Sequence, residues 1–239
     1  IYGQPQWILQ GNIYEVNVRQ YTKEGTFRAF EKHLPRLKNM GVQTLWFMPI
    51  NPISKKDRKG FLGSYYAVAD YKAINPEFGN MSDWKQLVNH AHNMGFKIII
   101  DWVPNHTGAD HVWLKTHTDF YELDPNTHQP LSPFDWTDVR QLNFKNQEMQ
   151  DSMLAAMKFW ITQTDIDGFR CDHVEEFQKE FWLTAIPALR KLKNSIFMLA
   201  ESNGAWCYDA GFDAVYPWDA FNVMKDIASG KANATALDK

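Results

Sequence analysis

Two cysteines, Cys171 and Cys207, are all that the 239 residues contain. A lone pair builds no disulfide framework and has no metal-ligand spacing, so both are expected as buried free thiols. An excess of charge is also missing: 25 Lys and Arg against 28 Asp and Glu leave a formal net charge of -3. Without a Lys/Arg-rich run there is no field to collect phosphates, which excludes nucleic acid as a partner. Long apolar runs are absent as well. The longest, at 44–50 and 98–100, fall far short of the roughly 20 residues a spanning helix needs, so no membrane span is expected. No signal peptide, internal repeat or low-complexity tract is present. The chain opens on Ile1 rather than methionine, which fits a processed or trimmed start. The compartment stays open, with a secreted or periplasmic one favoured over the cytoplasm.

Aromatic residues are plentiful. Ten Trp, nine Tyr and sixteen Phe supply core filling and also flat faces on which sugar rings can stack. Short apolar runs at 13–18, 44–49, 97–101, 168–172, 196–201 and 213–216 alternate with helical patterns at 27–40, 83–94, 148–164, 177–193 and 220–228. That alternation predicts repeated βα units around a parallel sheet. In the third helix, Met149, Met153, Leu154, Met157, Trp160 and Ile161 recur at helical spacing as one buried stripe. Six units fill the chain, whereas a (β/α)8 TIM barrel closes with eight. The fold class expected is therefore α/β, a TIM barrel with about six of its eight units. Residues 1–239 form one catalytic domain that would need roughly 80 more residues to close, and the two open edges would invite self-association. The segment 107–141, rich in Pro, Asp, Thr and His, breaks the rhythm after the third strand and reads as a functional insertion.

In such barrels the site lies at the C-terminal ends of the strands. Three strands end in groups capable of chemistry. KIIIDWVPNH delivers Asp101, Asn105 and His106; DGFRCD delivers Arg170 and Asp172; IFMLAE delivers Glu201. Each carboxylate alone could equally cap a helix or pair with an arginine. Arg170 and Asp172, two apart on a strand, face the same way. Glycoside hydrolysis needs one ionised and one protonated carboxyl, and Asp172 with Glu201 can supply them. The Arg170 guanidinium is expected to hold Asp172 ionised, while the charge of Asp172 and partial burial keep Glu201 protonated.

Taken together these segments resemble the α-amylase family of glycoside hydrolases, family 13. DWVPNH is similar to its first signature, GFRCD to its second and the Glu of MLAES to its third, while YAVADYKAINPEFG resembles the stretch whose tyrosine stacks on the sugar at the cleavage point. The resemblance covers essentially the whole chain. It implies a retaining hydrolase of α-linked glucans such as starch or maltodextrin, with Asp172 as nucleophile, Glu201 as acid/base and Arg170 orienting the nucleophile. Tyr66 and His106 would line the sugar subsite, with Asp101, Glu175 and Glu176 as further sugar-binding candidates. A transglycosylase shares the first half-reaction, and a non-catalytic carbohydrate-binding or interaction domain is the alternative of another class.

The departures from the family pattern are specific. No His-Asp pair follows Glu201, so the fourth signature and its third carboxylate are absent from the sequence. Glu175 and Glu176 replace a Lys-His pair, as in the neopullulanase and cyclomaltodextrinase branch. No cofactor is required by this chemistry. A calcium ion, should one bind, would have Asn105 as its one ligand, because DVRQLN places Gln141 where an aspartate is expected. An Asn105 that merely tethers the insertion is the alternative.

Overall fold

A computed structural model describes residues 3–238; Ile1, Tyr2 and Lys239 lie outside the described residues. The chain begins β1 (Ile13–Val16), α1 (Val18–Tyr21), α2 (Phe27–Glu31), α3 (Leu34–Asn39), β2 (Thr44–Phe47), α4 (Met81–Asn93) and β3 (Lys97–Trp102). A small hairpin follows, β4 (His106–Gly108) with β5 (Val139–Gln141), then α5 (Gln147–Thr164), β6 (Gly168–Cys171), α6 (Lys179–Leu192), β7 (Phe197–Ala200), α7 (Trp206–Ala210), β8 (Ala214–Val215) and α8 (Trp218–Ala228). Six strands form one parallel sheet in the order β1-β2-β3-β6-β7-β8. These are the six expected units, with β1 and β8 at the edges. Strands buried on both faces read as near-continuous apolar runs, and β6 and β7 are buried at every position.

The helices follow local signals. α4 starts in a capping box in which the Asn80 side chain accepts from the Asp83 amide while the Asp83 carboxylate takes the Asn80 amide. α5 is capped by Asn146 and buries Met149, Met153, Met157, Trp160 and Ile161. The single helix expected over 27–40 is two, α2 and α3, because Pro35 stands in the first turn of the second. Its missing N–H cannot continue the ladder from α2, although that same lack is harmless at a helix start.

Two buried acids knit the N-terminal end of the sheet. Asp167 meets His92 at 2.7 Å, Lys193 at 3.1 Å and Lys97 at 3.2 Å, and accepts the Ile98 amide. Burial pushes its pKa up, yet these partners outweigh burial and leave it at about 2. Asp213 ties β7 to α6, bound to Arg190 at 2.8 Å and to the Met198 amide, although burial there outweighs its partners and raises its carboxyl. Both acids belong to the end of the barrel associated with stability rather than chemistry. Gly168 leaves no room for a side chain between β6 and β7, since a Cβ there would lie 2.1 Å from the Phe197 carbonyl oxygen. Both cysteines are buried and free. Among the described residues no helix is long and apolar enough to cross a membrane.

Candidate active site

The strand ends converge on one guanidinium. Arg170 projects from β6 and is almost fully buried; its Nη1 donates to Asp101 Oδ1 at 3.0 Å and to Asp172 Oδ1 at 2.8 Å, and its Nη2 reaches Glu201 Oε2 at 2.9 Å. The parallel register explains this, because Asp101 of β3 is paired with Arg170 of β6, and Arg170 with Leu199 of β7. Residues just past those strand ends therefore meet over the same point. Trp46 and Tyr216 rings flank the cation with centroids at 5.0 and 5.5 Å, and Nε of Arg170 donates to the Tyr216 hydroxyl at 3.1 Å.

Asp101 does not sit where a sugar could meet it. It is 1% exposed, and its carboxylate accepts from Arg170, from Trp46 Nε1 at 3.0 Å and from the Tyr66 hydroxyl at 3.3 Å. The expectation that it binds substrate is corrected accordingly: its acceptor sites are taken, and it anchors Arg170 and Tyr66 from below.

Asp172 and Glu201 lie at the surface of the cluster, facing the cleft. Burial pushes the Asp172 carboxyl up to about 7, with Arg170 opposing and the adjacent Glu201 carboxyl reinforcing the rise. Arg170 thus does not by itself fix Asp172 as an anion, because one guanidinium is divided among three carboxyls. The main chain reinforces the arrangement: the Glu201 amide donates to the Cys171 carbonyl at 2.9 Å, and the His173 amide to Glu201 Oε2 at 3.0 Å.

Two cavities meet at Asp172. One, of about 310 Å³, is lined by Lys59, Ser64, Tyr66, His106, Trp136 and Asp138; the other, of about 420 Å³, by Trp136, His173, Glu175, Glu201, Asn203 and Trp218. Tyr66 and His106 therefore share the first cavity, and burial drops the pKa of His106 to about 3, keeping its imidazole neutral. Glu175 lines the second, with an oxygen 3.3 Å from His173 Nε2. Glu176, next in the chain, is exposed and borders neither cavity. Sequence reasoning missed Trp136, which lines both cavities. The only signal was an aromatic pair, Phe134 and Trp136, inside a polar insertion.

The neck of that insertion is the antiparallel pair β4 and β5, with His106 opposite Gln141. Here the calcium question can be put to the donor set. Asn105 Oδ1 accepts from Gln141 Nε2 at 3.1 Å and from Gln178 Nε2 at 3.4 Å, while its Nδ2 donates to Gln141 Oε1 at 3.3 Å. A hard cation wants several anionic or free oxygens, whereas these are neutral amides that satisfy one another. The residues do not fit calcium, and Asn105 is the tether between barrel and insertion.

The alpha-amylase catalytic-domain model ("Alpha amylase, catalytic domain") matches residues 11–139 and 121–197. The chain belongs to this family. An alpha-amylase from Lactobacillus plantarum superposes with a TM-score of 0.90 at 33% identity, over 95% of this chain and 57% of that one. A noncanonic maltogenic alpha-amylase from Thermotoga neapolitana gives 0.89 at 34%, over 95% and 54%. Among curated relatives, the amino acid transporter heavy chain SLC3A1 of Homo sapiens is 26% identical over 71% of this chain and 29% of its own length. The chain thus spans less than half of the curated relatives it matches and little more than half of the solved ones.

Proposed function

We propose that this chain carries the catalytic centre of a retaining hydrolase of α-linked glucans. One observation carries the reading: Asp172 and Glu201, on neighbouring strands, are bound by adjacent nitrogens of the same guanidinium. That favours the close spacing of about 5 to 5.5 Å typical of retaining pairs over the roughly 6.5 to 9.5 Å that leaves room for water in inverting ones. In the double displacement, Asp172 attacks the anomeric carbon as Glu201 gives its proton to the departing oxygen. Water, deprotonated by Glu201, then releases the sugar from Asp172. Tyr66 and the neutral His106 are placed to hold the ring under attack. Arg170, already committed to the carboxyls, keeps the negative charge of the first step oriented rather than spread into solvent.

The test has two parts. Reducing-sugar release from soluble starch, pullulan and cyclodextrin reads activity and substrate class together. Proton NMR of the first product formed from an α-linked substrate then reads the stereochemistry, where the α anomer is expected and an initial β anomer would refute double displacement. Transfer to a sugar acceptor would appear as longer oligosaccharides in the same reactions. The likeness to the transporter heavy chain supports a second reading as a non-catalytic interaction domain. The presence of Asp172, Glu201 and Arg170 together favours the enzyme.

A further inference from the structure

His173, the residue after the proposed nucleophile, has φ +46. A left-handed backbone is costly for a residue other than glycine and persists where its surroundings enforce it. Four contacts do so. Its amide donates to Glu201 Oε2 at 3.0 Å, and its carbonyl accepts from Gln178 Nε2 at 3.3 Å. Its Nε2 lies 3.3 Å from Glu175 Oε1. The fourth contact is aromatic: the ring packs edge-on against Trp136 at 5.3 Å and Phe134 at 5.5 Å, both carried by the insertion. Phe134 is itself left-handed, with φ +51, and is 73% exposed while its ring meets that of Trp136 at 4.9 Å and a tilt of 55°. A bulky apolar side chain held outward on an unfavourable backbone is hard to explain as packing, because turning inward would gain burial and relieve the backbone.

We infer that Phe134 and Trp136 are positioning residues: through the His173 ring they hold the turn after β6 so that the His173 amide meets Glu201. The insertion then sets the acid/base carboxyl without touching it. Trp136 fits this task because it also packs edge-on against His106, at 5.5 Å between centroids. It is thereby braced from the start of β4. A hydrogen bond from a fixed main-chain amide orients Glu201. Loss of the stack would free His173 to relax to an ordinary backbone and withdraw that donor. The inference rests on the proposed reading only for the name given to the task of Glu201; the coupling itself is a property of the chain.

Amide hydrogen exchange, resolved by NMR on the 239-residue protein without substrate, tests it. In Trp136→Ala and in Phe134→Ala the protection of the His173 amide should fall at least about tenfold relative to that of Phe169 in β6, because opening there is local. Trp136→Phe should restore most of it. Unchanged His173 protection in both alanine variants would overturn the inference, as would an equal fall at Phe169, which marks general destabilisation. Should Trp136→Ala fail to fold, Phe134→Ala decides alone, since its exposed ring contributes little to the core. Absence of turnover on any glucan would sink the proposed function and leave this result standing.

Discussion

Asp172→Asn should make the protein more stable in mild alkali while removing the group on which turnover is proposed to depend. The Asp172 pKa of about 7 compares with an ordinary value of about 3.9 for aspartate. Between those values the folded protein keeps a proton that the unfolded chain releases. Stability is therefore fully present below about pH 4 and declines as pH rises towards 7. Three units at 1.36 kcal/mol each set a ceiling of roughly 4 kcal/mol, and the solvent that still reaches Asp172 at the cleft brings the expectation to about 2 to 4 kcal/mol. Asparagine keeps an oxygen for the Arg170 bond and has no charge to bury. Below about pH 4 the variant should match the wild type, and by about pH 5 it should already lead by roughly 1 kcal/mol. At about pH 8 it should melt higher by roughly 5 to 10 °C, given about 2 to 4 °C per kcal/mol for a chain this long. Differential scanning calorimetry across that range is the assay, with soluble-starch hydrolysis as the companion measurement. The neutral His106 and His111, with pKa values near 3, are common to both proteins and cancel. Parallel melting profiles, or a less stable variant at pH 8, would refute the placement of a raised carboxyl at the cleft.

Glu201→Gln should slow hydrolysis of natural oligosaccharides far more than that of aryl glucosides with good leaving groups, which need less protonation; equal losses would argue against the acid role. Chelation should leave the melting temperature unchanged, because Asn105, Gln141 and Gln178 satisfy one another; a fall reversed by calcium alone would contradict this. Gly168→Ala should cost at least about 3 kcal/mol in denaturant titration, since its Cβ would strike the Phe197 carbonyl and neither backbone can yield without opening the sheet. The chain should also scatter light in a concentration-dependent way, because β1 and β8 are sheet edges and α8 exposes Phe221 and Met224; a strict monomer at high concentration would contradict that.

What could be read from the sequence was whatever a period enforces. Arg170 and Asp172 share a face because strands alternate, and the Met149 to Ile161 stripe is buried because helices repeat every 3.6 residues. The six strands were legible for the same reason, and only their ends shifted. The helix at 27–40 was misread because apolar spacing continues across Pro35 although the hydrogen-bond ladder does not. Asp101 shows a second limit. A carboxylate at a strand end looks the same whether it faces the cleft or lies beneath it, and only the cross-strand partners Trp46 and Arg170 decide. Trp136 was invisible because its segment has no period at all; its place depends on how the β4–β5 neck folds the insertion back over the cleft.

The crowding of carboxyls around Arg170 has a consequence for what can enter. Asp101, Asp172 and Glu201 bring three acids to one cation, so the positive charge of Arg170 is already committed within the floor of the cleft. Lys59, the nearest cation lining the adjoining cavity, faces Asp138 at 3.6 Å. A phosphorylated or uronic sugar would bring its charge to a floor whose one guanidinium is already bound by three carboxyls. The arrangement proposed to set the reacting groups should therefore also favour uncharged chains over acidic ones, with no residue assigned to the purpose.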